Sequence, residues 1–176
     1  IMNYITKGDI IIFDPSFDNE LDYVLLNNYK KIIFSNYVLN GSLFGAYKNN
    51  NFKSLIYIGS KFNQSVDNLP SSITHLTFGF CFNQPIDNLP SSITHLTFGY
   101  CFDQPIDNLP PLITHLTFGS YFNQLVNNLP SSIEFIQLSM NYENKILNIP
   151  KKLKTIKCYK KYKYINDFDG LKIITY

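Results

Sequence analysis

With 176 residues, 45% of them hydrophobic and 16% aromatic, the chain is one domain by length and has enough apolar content to bury a core. Its net charge of +2 hides a split, because no lysine falls between residues 62 and 144 while nine of the fifteen basic residues, all lysine, follow from Lys145 onward. No apolar run approaches the ~18 residues of a membrane span, no basic and apolar leader opens the chain, and three cysteines without CxxC spacing argue against a disulfide framework and a zinc site, which places the expected location in the cytoplasm.

In chain order, Ile11, Phe13, Phe17, Asp18 and Leu21 open an apolar pattern that recurs later. Residues 20–29 hold Leu21, Val24 and Leu25 without Gly or Pro, which permits a helix in this longer segment. Ile32, Phe34 and Val38 fit the pattern loosely, and Ile56, Ile58, Gly59, Phe62, Asn63, Gln64 and Val66 fit it at a fixed spacing of twenty from the next copy. Then come three nearly identical blocks beginning Leu69-Pro70, Leu89-Pro90 and Leu109-Pro110, each with the core Ile-Thr-His-Leu-Thr-Phe-Gly. Residues 72–79 and 92–99 are identical, so the period arose by duplication. Downstream, Ile133, Ile136, Leu138, Tyr142 and Ile146 form a weakened copy, Leu153, Ile156, Cys158 and Tyr162 another, and Leu171 with Ile173 begins a last strand.

A fixed twenty-residue period is the signature of stacked coils, each unable to bury its apolar face alone. In residues 93–99, Leu96 and Phe98 alternate with Thr and Gly, the pattern of a half-buried strand. Successive coils run the same way, so these strands pair in parallel. The return path, Phe-Asn-Gln-Pro-Ile-Asp-Asn-Leu-Pro, carries two prolines and favours turns and short 3₁₀ segments over helix. The expected fold is therefore a right-handed solenoid of about eight or nine coils, leucine-rich-repeat-like, with one parallel β-sheet and little α-helix. It forms a single domain over 1–176, with diverged coils at 1–61, regular repeats at 62–150 and a Lys-rich cap at 151–176. Stacking predicts an aromatic spine of Phe62, Phe82, Phe102 and Phe122, and beside it an inward ladder of Asn63, Asn83 and Asn123 that satisfies backbone groups at the bend. Asp103 interrupts this ladder and is expected to be its weak point.

Leu-Pro-Ser-Ser-Ile-Thr-His-Leu-Thr-Phe-Gly followed by Phe-Asn-Gln-Pro-Ile resembles the FNIP repeat, closely over residues 62–150. That resemblance implies a leucine-rich-repeat-like fold, a protein-binding role and a source among social amoebae or the large DNA viruses that infect amoebae. The period of 20 stands where the family usually shows 22, and Gln64, Gln84, Gln104 and Gln124 stand where Ile gives the family its name. The shorter coil implies a tight turn between Asp-Asn and Leu-Pro. Some members carry an F-box, but residues 1–50 read as further coils, with residues 13–21 following the pattern of 98–106.

The candidate partner-binding surface is the strand face: Thr74, His75, Thr77 and Phe80; Thr94, His95, Thr97 and Tyr100; Thr114, His115, Thr117 and Ser120; Glu134, Phe135, Gln137 and Met140. Phe80, Tyr100, Phe135 and Met140 would be exposed anchors, since aromatic residues dominate interface energetics. His75, His95 and His115 should stack one strand spacing apart, ~4.8 Å, as should the Thr columns beside them. In the coils of the three histidines no carboxylate or Cys shares that face to complete a metal shell, so no metal and no cofactor is expected. Ser71 with His75 repeats at Ser91 with His95 and lapses at Pro111, which marks duplication rather than a catalytic dyad; no enzyme activity is expected. Cys81 and Cys101 share one repeat position, close enough for a bridge to be conceivable. The partner expected is a protein, a host protein if the source is viral. The alternatives are self-association through an uncovered end coil, and an acidic or nucleic-acid partner on the Lys-rich end with Tyr159, Tyr162 and Tyr164.

Overall fold

The computed structural model describes residues 4–36 and 59–176. It contains nine strands in one sheet whose spatial order is the sequence order: β1 (Tyr4–Lys7), β2 (Ile10–Phe13), β3 (Lys31–Phe34), β4 (His75–Thr77), β5 (His95–Thr97), β6 (His115–Thr117), β7 (Phe135–Gln137), β8 (Thr155–Cys158) and β9 (Lys172–Thr175). From β2 to β9 every neighbour pair is parallel, and the registers place like positions side by side, His75 on His95 on His115 and Leu76 on Leu96 on Leu116. Eight parallel strands close seven turns of a β-solenoid, fewer than the eight or nine coils expected.

Two features depart from the expected stack, and the second accounts for the lower count. The first strand does not belong to a coil: β1 pairs antiparallel with β2 through a two-residue turn at Gly8-Asp9, where Gly8 has φ 57°. That dipeptide is a hairpin signal, and only a residue free of Cβ strain sits comfortably there. The second difference is an insertion. β3 is hydrogen-bonded directly to β4, so no strand from Ile56 and Ile58 stands between them; those two residues and Val38 lie outside the described residues. Phe62 follows Phe34 by twenty-eight residues, where Phe82 follows Phe78 by four, yet the ring pairs are equivalent, with centroids 3.9 Å and 3.6 Å apart. Phe34 and Phe62 thus belong to one coil that carries twenty-four extra residues.

Each regular coil is a three-residue strand followed by turns. Ile73 N–H donates to Pro70 O at 3.1 Å, and the same bond recurs at Ile93, Ile113, Ile133 and Leu153. Just upstream, Leu69 N–H reaches Val66 O and Leu89 N–H reaches Ile86 O, both at 3.4 Å. These back-to-back turns are how twenty residues close the circuit. Among the described residues α-helix is confined to α1 (Tyr23–Leu26), shorter than the permitted 20–29, and a 3₁₀ turn covers Ile165–Phe168; α1 starts at Asp22, whose Oδ1 accepts from the amides of Val24 and Leu25 at 3.0 Å each.

The core is a zip of two aromatic columns. Phe62, Phe82, Phe102 and Phe122 form the expected spine at 6.0–6.1 Å between neighbours, continued by Tyr142. Phe78, Phe98 and Phe118 form a second column that meets the first within each coil at 3.6–3.8 Å. Nearly all of these side chains are fully buried, each worth about 1.5–3 kcal/mol.

The polar ladder departs from expectation. Its members are half-buried, Asn123 is exposed, and the group that works is the side-chain oxygen: Asn63 Oδ1 accepts from Asn83 N–H at 2.8 Å, Asn83 Oδ1 from Asp103 N–H at 2.9 Å, Asp103 Oδ1 from Asn123 N–H at 2.9 Å, and Asn123 Oδ1 from Glu143 N–H at 3.0 Å. The ladder begins with Asp18, which accepts from Asn63 N–H at 3.1 Å. A carboxylate serves as well as an amide here, so Asp103 is not a weak point. Asp103→Asn should leave the melting temperature unchanged and Asp103→Ala should cost about 1–2 kcal/mol; a clear gain from the Asn variant in thermal unfolding would restore the original expectation.

Candidate functional site

The strand face is built by alternation. Within each coil Leu76, Leu96, Leu116 or Ile136 points into the core, and the flanking residues point out. Registration then turns single outward positions into columns. His75, His95 and His115 stack with ring centroids 4.2 and 4.3 Å apart and planes within 9°, and Phe135 extends the column at 5.7 Å. The rings are held by an interaction the sequence reading did not anticipate: Oγ1 of Thr74, Thr94 and Thr114 lies 2.8–2.9 Å from Nδ1 of the histidine that follows it. The same hydroxyls contact the backbone carbonyl one coil back, Thr94 Oγ1 at 3.1 Å from Thr74 O and Thr114 Oγ1 at 3.2 Å from Thr94 O. Thr-His adjacency, repeated three times, was the available signal.

Stacking in parallel planes sends the ring nitrogens side by side rather than toward one point. Among the described residues no group of three His, Cys, Asp or Glu side chains could hold a metal ion. Burial and Lys31 lower the pKa of His75, with Asp9 opposing; burial first, then His75, His115 and Lys31, push His95 down to about 4. The middle ring is therefore neutral at neutral pH.

The anchors divide. Tyr100 (38% exposed) and Met140 (52%) are open to solvent, whereas Phe80 and Phe135 are only half-exposed. Phe80 lies flat against Tyr100 at 4.7 Å, Tyr100 leans on Tyr121 at 4.4 Å, and Phe135 packs on His115. Ser120, Met140, Thr117 and Gln137 line one groove of about 350 Å³ with Lys157 and Tyr176, two residues absent from the expected set. Lys157 Nζ sits 5.2 Å over the Tyr176 ring, and the Tyr176 hydroxyl donates to Leu138 O, so the end of the chain forms one wall. Glu134 is held by Lys154 Nζ at 2.6 Å, an exposed pair.

Away from this face, Asn88, Asn108 and Asn128 each donate to the Asp of the preceding coil, Asp67, Asp87 and Asp107, at 3.0–3.2 Å. Repetition of Asp-Asn signalled this second ladder. Cys81, Cys101 and Cys158 are free thiols; burial, then Cys81, raises the pKa of Cys101, and burial raises that of Cys158. No helix of the described residues is long and apolar enough to cross a membrane.

Stacked parallel strands, turn-built returns and outward columns define a leucine-rich-repeat-like solenoid, a class typical of protein-interaction scaffolds. The FNIP Repeat family model matches residues 62–101, 82–120 and 102–139, so the regular coils over 62–139 are similar to that family's repeats. Among solved structures the chain is similar to CroV588, described as a novel circular LRR protein, at 25% identity and a TM-score of 0.44. That match covers 92% of this chain and 29% of the other, so the chain spans under a third of that protein's length. A comparison with curated proteins found no significant match.

Proposed function

We propose that the chain is a protein-recognition scaffold whose partner lies on the strand face across β4 to β7. The observation that carries this reading is the run of outward columns in register, ending in a groove beside Met140, with Tyr100 exposed one coil pair away. The core positions hold the coil together, and the strand face is where residues change from coil to coil: Phe80, Tyr100, Ser120 and Met140 at one position, and at another three threonines, Thr77, Thr97 and Thr117, that give way to Gln137 and Lys157. Typical hot spots cost about 2 kcal/mol or more on truncation, roughly a thirtyfold loss of affinity. The test is affinity capture from lysate with three baits. A partner held by the parent chain and by Leu125→Ser, which alters an exposed residue of the return path, should be lost with the double variant Tyr100→Ala, Met140→Ala. Retention by the double variant and loss with Leu125→Ser would move the site off the strand face.

A further inference from the structure

Charge is sorted by face. In the regular coils Asp67, Asp87 and Asp107 lie on the return path, tied into the Asp-Asn ladder, and Asp103 lies in the spine-side ladder. The strand face over the same coils carries hydroxyls and imidazoles. By register the histidine column runs from Lys31 through His75, His95, His115, Phe135 and Thr155 to Lys172, and the neighbouring column runs through Gln137 and Lys157 to Ile174. The charged groups acting on the column are Lys31 and Asp9 at the β3 end and Glu134 at the β7 end, the last already paired with Lys154.

The three rings share one unfilled position. Each Thr hydroxyl has a single proton; directed at the carbonyl of the preceding coil, it leaves Oγ1 to accept from Nδ1–H, and Nε2 is then the bare, protonatable nitrogen. Among the described residues no group hydrogen-bonds to Nε2 of any of the three.

We propose that the strand face is a proton-gated docking surface for an acidic protein segment, whose carboxylates accept from Nε2–H of His75 and His115 once those rings have taken up solvent protons. This rests on the strand-face reading above. Each contact converts a neutral imidazole and one solvent proton into an imidazolium that donates to a carboxylate oxygen, a charge-assisted bond. His95 resists charging, because like charges about 4 Å apart repel and it has a ring on both sides. Lys31, Lys157 and Lys172 supply permanent positive charge at the two ends. Nucleic acid fits less well, because the chain has no Arg to clasp a phosphate through two parallel hydrogen bonds.

The probe is a fluorescently labelled polyglutamate of about twenty residues, titrated by anisotropy at low salt, where surface charge is least screened, at about pH 5.5 and about pH 7.5, either side of the ordinary imidazole range. The expected result is binding at least about fivefold tighter at the lower pH, with that gain removed in the triple variant His75→Gln, His95→Gln, His115→Gln. The single variant His115→Gln, at the exposed ring, should lose part of the gain and guards against a folding defect in the triple. Binding without pH dependence, or with the dependence intact in the triple variant, overturns the proton gate; if Met140→Ala still weakens that binding, the strand-face reading survives. Binding indifferent to Met140→Ala and to all three histidines overturns both. Tighter binding of a single-stranded DNA of equal length than of polyglutamate overturns the choice of partner.

Discussion

Gly99→Ala is expected to disrupt the middle of the solenoid, with a loss of about 3 kcal/mol or more and a fall in melting temperature of roughly 6–12 °C. A Cβ at Gly99 would stand 1.8 Å from the carbonyl oxygen of Gly79 and 2.4 Å from its carbon; one at Gly119 would stand 1.9 Å from the oxygen of Gly99. Both obstacles are backbone, so no side chain can swing aside. Neither glycine has a positive φ, so the demand is for space between coils and not for an unusual conformation. To admit a methyl group the coils must part, and parting them breaks the neighbouring bond from Cys101 N–H to Phe80 O at 3.0 Å. Thermal unfolding followed by circular dichroism is the check, with Gly170→Ala as the contrast, since a Cβ there meets nothing within 4 Å and only its φ of 81° resists. A midpoint for Gly99→Ala within about 2 °C of the parent would show that coil spacing relaxes freely.

Phe102→Ala should cost about 3–5 kcal/mol. The ring is fully buried, 3.7 Å from Phe98 and 6.0–6.1 Å from Phe82 and Phe122 by centroids. Its neighbours cannot collapse into the space, because the coil spacing is fixed by the parallel sheet on one side and the oxygen ladder on the other. The cost therefore lies toward the upper end of the range for a Phe truncation. Coupling in a solenoid passes only between adjacent coils, so a gap in the centre should also broaden the urea transition or split it. A sharp, single transition shifted by under about 1 kcal/mol would mean that the spine is redundant. The spine does tolerate polarity at its far end: the Tyr142 hydroxyl is buried without a hydrogen bond of normal geometry, and desolvation, only partly offset by the backbone at Val126, pushes its pKa up to about 12.

The regular coils were legible because every like residue meets its own copy, so one coil's pattern is every coil's contact list. Phe82 on Phe102 and His75 on His95 follow from period alone. What the period could not show lies where a contact joins unlike positions. The second aromatic column is one case, since Phe78 reads as a strand residue until the bend after Gly79 brings it onto Phe82. The oxygen ladder is another: Asn63 suggests an amide donor, but the donor is the next coil's backbone, which no side-chain pattern records. The insertion after Phe34 was misread because Ile56, Ile58 and Gly59 happen to keep the spacing of twenty, while pairing of β3 with β4 is a long-range fact. On the candidate surface, exposure was overestimated for Phe80 and Phe135, whose neighbours across the sheet cover them. Lys157 and Tyr176 were missed because they belong to a coil whose sequence has drifted.

The described ends of that insertion meet at one residue. Asn36 closes the opening: its Oδ1 accepts from Ser60 N–H at 2.8 Å and Phe80 N–H at 2.7 Å, and its carbonyl accepts from Gly59 N–H at 3.2 Å. The two ends of the extra segment are thereby riveted together and to the next coil. Loss of the Asn36 side chain would leave the backbone amides of Ser60 and Phe80 without that shared acceptor, so one residue at the end of the third strand sets how two coils meet.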